Sequence, residues 1–203
     1  MASPKRAVLG LFVVALILFI LFVHPFLAVT HRVDADVLVI EGWIPDYMSP
    51  AAVKEFHQGK YALFFVSGLE NDPARNQIPS PSAAAHTAAR LTELGVPRDA
   101  IRSCPAPFAR WLRTSQTAQA VREKMIELGI KPKGINVITA GPHARETWVA
   151  YEHIFGNEMP VGIISIPKNN YPADRWWTSR QGLIWVPKDF IAWVKEVLIG
   201  HRN

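Results

Sequence analysis

The chain has little cysteine and no run of basic residues. Cys104 is the only cysteine among 203 residues, so an intramolecular disulfide is excluded and the fold depends on packing. We expect Cys104 to be a small buried or half-buried apolar side chain rather than a catalytic thiol. The net charge of +5 comes from scattered lysines and arginines, which argues weakly for acidic ligands and hardly at all for nucleic acid.

Common motifs for phosphate, dinucleotide and zinc binding are also missing. Neither Gly-x-x-x-x-Gly-Lys-Ser/Thr nor Gly-x-Gly-x-x-Gly occurs, so no P-loop and no usual dinucleotide fingerprint is present. The histidines lack the His-Glu-x-x-His spacing or any other compact ligand pattern, and we predict no metal site. Glu41, which ends the first predicted strand, could reach a cleft and bind a hard cation. A solvated carboxylate at a strand end is the commoner case.

Apolar residues are concentrated near the N-terminus. The segment from Ala7 to Val29 carries no charge apart from a possible one on His24. At about 1.5 Å per helical residue, it spans a bilayer core of about 30 Å. Lys5 and Arg6 precede it, so the positive-inside rule places the N-terminus in the cytoplasm and exports the rest of the chain.

A cleavable signal peptide is the alternative interpretation of this segment. The apolar run is long for a signal peptide, and the residues from Phe26 to Thr30 offer no clean small-x-small cleavage site. We therefore predict that residues 1–31 form a cytoplasmic stub and an uncleaved membrane anchor. Residues 32–203 then form one outward-facing domain of the cell's inner membrane, exposed to the periplasm or the exterior.

Apolar, β-branched runs alternate with helix-like segments along residues 32–203. This alternation predicts a mostly parallel sheet covered on both faces, that is, a Rossmann-like three-layer α/β domain. The prolines and asparagines of residues 69–81 predict a long loop, and loops of this length often bind ligands. The predicted strands cover residues 36–41, 61–66, 101–104, 135–139 and 161–166, and predicted helices begin near Ser49, Ser82, Thr114, Pro142 and Pro187.

Ligands bind open α/β sheets beyond the carboxyl ends of the strands, at a topological switch point. The residues that follow predicted strands, together with the start of the third domain helix, are therefore the candidate ligand-binding residues. Ser67 lacks the Gly-x-Ser-x-Gly elbow of a nucleophile, which favours a turn residue. The candidates are Gly42, Ser67, Gly68, Arg113, Thr114, Gly141 and Arg145.

The strand-to-helix turn at Gly141 carries the most informative pair, His143 and Arg145. An arginine opposes the helix macrodipole at a helix start unless an anion lies in front of it, although pairing with Glu146 or Glu152 would also explain it. Two arginine-flanked helix starts would suit a phosphate or pyrophosphate. His143 could act as general acid or base or donate to a phosphate oxygen; a partly exposed helix-start histidine is the plain alternative.

The tail of the chain contains an aromatic loop with Trp176, Trp177 and Arg180. These side chains could cover the cleft and stack on a sugar or another ring. The commoner interpretation is that the tryptophan pair seals the edge of the core.

Several segments occur in an order that resembles a known family. Ser67-Gly68 after the second strand, Leu94-Gly95-Val96-Pro97 after a helix, Thr114 to Ala120, and Thr139 to Arg145 make the chain similar to the bacterial YdcF/SanA/ElyC-like family. The resemblance covers roughly Asp36 to Pro167. It implies a Rossmann-like envelope domain whose cleft is lined by Ser67, Gly68, Thr114, His143 and Arg145.

The resemblance also implies a role in envelope integrity or in peptidoglycan or lipid-carrier metabolism. We expect a membrane-anchored domain that binds a phosphorylated lipid or nucleotide-like ligand, with phosphoester chemistry at His143 if the protein is an enzyme. The alternatives are a non-catalytic envelope scaffold or regulator and an S-adenosylmethionine-binding protein; the cofactor is left open. The family's acidic residue early in the second helix is replaced here by Ser82 to His86, and its Asn-rich pattern by Gln116 to Gln119.

Overall fold

The domain is built on one parallel sheet. A computed structural model describes residues 4–70 and 80–200. Its strands are β1 (Val37–Glu41), β2 (Leu63–Leu69), β3 (Ile101–Ala106), β4 (Ile135–Ala140) and β5 (Val161–Ile166). They form a five-stranded sheet in the order β3-β2-β1-β4-β5, and every neighbouring pair is parallel.

Helices cover both faces of this sheet. The α-helices of the described residues are α1 (Pro4–Leu27), α2 (Ser49–Gln58), α3 (Ala83–Glu93), α4 (Arg113–Glu127), α5 (Ala144–Phe155) and α6 (Arg180–Ile199), of which α2 to α5 pack on the sheet. On one face, Leu38 and Ile40 pack in a core with residues of α2 and α3. On the other, Val37 and Val39 pack with residues of α4 and α5. Alternate residues of β1 thus pack into the two cores on opposite faces of the sheet, which confirms the predicted three-layer α/β domain.

Several predicted boundaries were wrong. β3 continues through Pro105 to Ala106, which is tolerated because β3 is an edge strand and its proline need not donate to a second neighbour. α4 begins at Arg113 after Leu112 in a left-handed conformation (φ 50°), so Thr114 lies in the first turn. α6 begins at Arg180, where the side chain of Ser179 accepts a hydrogen bond from Gly182 N.

Two further boundaries concern the segments beside β2 and β4. A short 3₁₀ turn, Gly141–His143, precedes α5, so Pro142 lies in that turn and not in the α-helix. β2 runs to Leu69, and Glu70 then pairs with Ser82 in an isolated bridge. The predicted loop is therefore closed at its base, and its residues 71–79 lie outside the described part of the chain.

α1 extends from the domain and also packs against it. Its segment Val8–Leu27 has a mean hydropathy of 2.8 and is long and apolar enough to cross a membrane. The C-terminal half contributes Val23 and Leu27 to a third apolar cluster with Trp176 and Val186. The indole of Trp176 also donates a hydrogen bond to the carbonyl oxygen of Ile20 at 3.0 Å. The tryptophan of the tail therefore seals the junction between α1 and the domain.

Candidate functional site

The site lies at the switch point of the sheet, between β1 and β4. From β1 the chain adds β2 and β3 on one side, and it then returns to add β4 and β5 on the other. The loops that leave β1 and β4 therefore diverge, and the carboxyl ends of these strands are where folds of this kind form their ligand crevice. Glu41 is the last residue of β1, and the Gly141–His143 turn follows β4.

Glu41 is a buried carboxylate at the base of this crevice. Its side chain is fully enclosed, so it is not the solvated strand-end group that is common elsewhere. One carboxylate oxygen accepts hydrogen bonds from the hydroxyls of Thr139 and Thr147, the latter at 3.0 Å. The other oxygen has no hydrogen-bond partner among the described residues. A buried acceptor without a partner is costly, which marks this position as a functional candidate.

His143 stands directly above Glu41 and contacts it and two further carboxylates. Its Nδ1 lies 3.1 Å from Glu146 and 3.5 Å from Asp189. Its Nε2 lies 3.9 Å from Glu41 and 3.5 Å from the hydroxyl of Thr114. Nδ1 thus lies between two carboxylates, and its contact with Glu146 is an ion pair without hydrogen-bond geometry, since that oxygen has no hydrogen-bond partner among the described residues. Nε2 faces a hydroxyl and a third carboxylate at longer range. This is the arrangement by which acid–base histidines are oriented.

The carboxylates keep His143 charged at neutral pH. Burial by itself lowers the pKa of the imidazole, but the negative charges of Glu146, Glu41 and Asp189 outweigh it and raise the pKa to about 9. Burial raises the pKa of Glu146, and the charges of Glu41 and Asp189 act in the same direction, whereas His143 opposes them. The site therefore contains an imidazolium at physiological pH, beside a Glu146 carboxyl group whose pKa is raised.

Lys168 and Asp189 complete the cluster from the C-terminal part of the chain. Lys168 follows β5 by two residues, and its ammonium nitrogen lies 3.5 Å from a carboxylate oxygen of Asp189. This contact is an ion pair without hydrogen-bond geometry, since that oxygen has no hydrogen-bond partner among the described residues. Both side chains are at least nine-tenths buried. Two cations and three carboxyl groups, those of Glu41, Glu146 and Asp189, thus share one water-poor site.

The backbone at Gly141 makes this arrangement possible. Gly141 has φ +53°, a left-handed conformation in which a side chain is strained. A Cβ there would also lie 3.2 Å from the side chain of Lys168. The glycine therefore allows the turn after β4 and leaves room for Lys168 to approach Asp189.

Thr114 and His143 are the two predicted residues that the fold brings into direct contact. The hydroxyl of Thr114 lies near Nε2 of His143 and donates to Glu146 at 3.3 Å. Arg113 precedes it at the exposed start of α4. The starts of α4 and α5 thus meet through Thr114 and His143.

Ser67, Gly42 and Gly68 lie at the neighbouring strand ends and are buried. The Ser67 hydroxyl donates to the Ile40 carbonyl at 3.5 Å and accepts from Tyr151 at 3.4 Å. A Cβ on Gly42 would lie 2.7 Å from a backbone oxygen of α3, and one on Gly68 would lie 2.5 Å from a backbone nitrogen of the same helix. Both glycines therefore admit the close approach of the α3 start.

Arg145 lies against α1 instead of facing the cluster. Its Nε donates a hydrogen bond to the carbonyl oxygen of Phe26 at 2.9 Å, and its guanidinium carbon lies 4.2 Å from the centroid of the Phe26 ring. Phe26 belongs to the last turn of α1, where unpaired carbonyls and the negative end of the helix dipole attract a cation. The negative partner expected for this arginine is therefore a helix end, while Glu146 contacts His143.

Four residues of the cluster were not predicted as site residues: Glu41, Glu146, Lys168 and Asp189. Lys168 had a usable signal, because it follows a predicted strand and so lies at the same edge of the sheet. Asp189 interrupts an apolar helix, and it shares one face with Gly182 and Glu196 at a spacing of seven residues. Nothing local tells which element that face meets. Among the described residues, no group of three or more histidine, cysteine or acidic side chains has an arrangement that could hold a metal ion.

The fold and the site define a Rossmann-like α/β domain with a buried ionic cluster at its switch point. No family model matches the chain, and no curated protein matches it. The resemblance to the YdcF/SanA/ElyC-like family thus depends on the residues quoted for it.

Proposed function

We propose that this protein is a membrane-anchored domain that binds a phosphorylated ligand at the switch point, with His143 as the proton donor. The observation that carries the proposal is the geometry of His143. Its Nδ1 is held by Glu146 and Asp189, and its Nε2 is turned toward Thr114 at the start of another helix. An imidazolium oriented in this way presents one N–H to a ligand in the crevice.

A phosphoryl group suits the donors at this position. The Nε2–H of His143 donates a charge-assisted hydrogen bond, which is stronger for an ionised acceptor such as a phosphate oxygen. Lys168 adds a second cation to the cluster through its ion pair with Asp189, and the α4 start adds backbone N–H groups next to Arg113. The carboxylates keep His143 protonated, and uptake of a proton by Glu146 would lower the negative charge that an anionic ligand meets.

If the ligand is turned over, the same geometry supports phosphoester hydrolysis. The oxygen of a water molecule bonds to phosphorus as the ester P–O bond breaks. The proton on Nε2 passes to the leaving oxygen, and a proton of the water then restores the imidazolium. A histidine whose pKa lies above neutrality is in the acid form that this step requires.

The hydrophobic helix supports a ligand of the cell envelope. α1 is long and apolar enough to span a membrane, and it packs directly on the domain that carries the site. The basic residues before it favour export of the domain. A polyprenyl phosphate or a nucleotide-like envelope intermediate fits both this location and the resemblance described above.

Binding is tested by thermal melting of the full chain in detergent. Inorganic pyrophosphate and a polyprenyl phosphate serve as probes. At a probe concentration about 100 times Kd we expect the melting temperature to rise by about 5–10 °C. His143→Gln, which preserves size but removes the charge, should lose most of this rise. His57→Gln changes an exposed histidine of α2 and should keep it. Equal stabilisation of the His143→Gln protein and the parent would overturn the assignment of the site.

A non-catalytic scaffold is the second candidate, because the cluster is nearly enclosed. The side chains of His143 and Glu146 are only 15% and 12% exposed, which is also what a structural ion network would show. If the protein is a scaffold, neither probe should change the melting temperature. The scaffold hypothesis also predicts that His143→Gln preserves function in cells, whereas changes at Trp176 and Trp177 abolish it.

A further inference from the structure

α6 has three distinct faces, and the third has no partner among the described residues. The first, with Gly182, Asp189 and Glu196, is buried against the domain. The second, with Val186, Phe190 and Trp193, meets α1. The third is apolar and exposed, and we call it the outer face of α6. Its members are Leu183, Ile184, Ile191 and Leu198, of which Ile191 is 66% exposed.

The outer face is continuous with the surface that holds α1. At 100° per residue, Leu183 projects within about 20° of Phe190, while Ile191 and Leu198 lie about opposite the buried row. The ring of Phe190 meets Phe19 with centroids 5.2 Å apart, and the ring of Trp193 meets Phe26 at 4.9 Å. A membrane that surrounds α1 at the depth of Phe19 and Phe26 therefore also reaches the outer face of α6.

The positions of these contacts along α1 show how deep in the membrane α6 would lie. Phe19 lies eight residues before Leu27, the end of α1, which corresponds to about 12 Å along the helix axis. The apolar segment Val8–Leu27 has 20 residues, about 30 Å, which just fills a hydrocarbon core. Phe19 then lies inside the core, and Phe190 beside it lies below the membrane boundary. Interfacial helices sit at a similar depth, about 5–10 Å into this boundary.

Lysines and tryptophans border the outer face. The ammonium nitrogen of Lys188 lies 4.4 Å from the ring centroid of Trp185, and that of Lys195 lies 4.3 Å from the ring centroid of Trp111. Trp111 is itself exposed. Tryptophan is enriched at membrane–water interfaces, and lysine stems extend so that their charge reaches the headgroups. Anionic headgroups complement these two charges.

We propose that the outer face of α6 lies in the headgroup and acyl boundary of the membrane that α1 spans, with Lys188 and Lys195 on anionic headgroups. The inference rests on the membrane anchoring proposed above. It makes the domain partly embedded, with α1 and α6 as a two-helix contact, so the switch-point site is held close to the lipid surface.

The test uses the full chain with Cys104 replaced by alanine, in vesicles of phosphatidylcholine and phosphatidylglycerol in equal parts. Single cysteines at Ile191 and Leu198 carry a fluorophore, and lipids with a quencher near the headgroup report contact. We expect quenching severalfold stronger at these positions than at Lys54, an exposed residue of α2 on the opposite side of the sheet. Quenching no stronger than at Lys54 overturns the proposal.

A label at Leu16 of α1 separates this proposal from the anchoring on which it rests. Quenching of Leu16 by deeply placed quenchers, without quenching of Ile191, leaves the anchor in place and rejects the docking of α6. Absence of quenching at Leu16 rejects the anchor itself. Disulfide cross-linking between two copies through Ile191→Cys would identify a second chain as the occupant and also overturn the proposal. If phosphatidylcholine alone gives the same quenching, the contact of the lysines with anionic headgroups is refuted.

Discussion

At the scale of single residues, the site is governed by how burial and charge oppose each other at His143. Removing an imidazole from water disfavours its charged form, and three carboxyl groups within 3.9 Å more than reverse this effect. The same burial makes Cys104 inert, because it raises the pKa of the thiol to about 12. This confirms the predicted role of Cys104 as a buried apolar side chain.

The raised pKa of His143 predicts that stability falls as pH rises. A histidine that binds its proton more tightly in the folded state stabilises the fold fully below its unfolded pKa of about 6.5, and the effect is lost as pH rises through about 9. The change is on the order of 3 kcal/mol at most. Melting temperatures of the parent, measured from about pH 6 to about pH 9.5, should fall by several degrees more than those of His143→Gln.

The comparison with His143→Gln is needed because Glu146 acts in the same direction. Burial raises the pKa of Glu146, so its ionisation also destabilises the fold as pH increases. The exposed His57 provides the matched control, since His57→Gln should retain the steeper pH dependence of the parent. Identical pH profiles for the parent and His143→Gln would show that His143 is not held protonated.

At the scale of secondary structure elements, two glycines set how closely α3 approaches the sheet. Gly42 and Gly68 follow or end β1 and β2, and the first turn of α3 passes directly over both. The hydroxyl of Thr87 in α3 reinforces the contact by donating to the Gly42 carbonyl at 2.9 Å. These glycines shape the edge of the crevice through backbone packing.

Gly68→Ala should therefore destabilise the domain. The new Cβ would lie 2.5 Å from the backbone nitrogen of Ala84, so α3 must shift. We expect a loss of about 1–3 kcal/mol in the free energy of unfolding, measured by urea denaturation. Gly10→Ala in α1 is the control, because a Cβ there meets nothing within 4 Å. Unchanged stability of the Gly68→Ala protein would show that α3 yields without cost.

At the scale of the whole molecule, α1 and the domain behave as one packed unit. Arg145 caps the end of α1, Trp176 bonds to its backbone, and His31 just beyond it pairs with Ile163 of the edge strand β5. These contacts leave little freedom between the helix and the sheet. The orientation of α1 in a membrane would thus also set the direction in which the crevice opens.

The proposed orientation predicts which cysteines a membrane-impermeant maleimide reaches in spheroplasts. In a Cys104→Ala background, Lys54→Cys should react from outside because α2 belongs to the exported domain. Ser3→Cys should react only after lysis, because Lys5 and Arg6 hold that end in the cytoplasm. The reverse labelling pattern would refute the orientation while leaving the fold unaffected.

Most of the fold was predictable because each element carries its own local signal. The strand run 135–139 and the helix that begins near Ser82 and stops at Gly95 to Pro97 are each decided by residues within a few positions of one another. The errors fell where tertiary context overrides such signals. Pro105 is accepted because β3 is at the edge, and Pro187 is accepted inside α6. The edge rule for parallel sheets placed Gly141 and His143 at the carboxyl ends of the strands, and the start of the third domain helix placed Thr114 on the same side.

The sequence by itself determined the α/β class, the hydrophobic helix and the placement of a histidine at a strand-to-helix turn, because periodicity and turn chemistry are local. Only the tertiary structure decided what surrounds that histidine. Asp189 reaches it from α6 and pairs there with Lys168, and burial turns Glu41 from a solvated strand end into an enclosed carboxylate of the site. Arg145, two residues from His143, faces the end of α1, because a rotation of about 200° along a helix points neighbouring side chains to different surfaces.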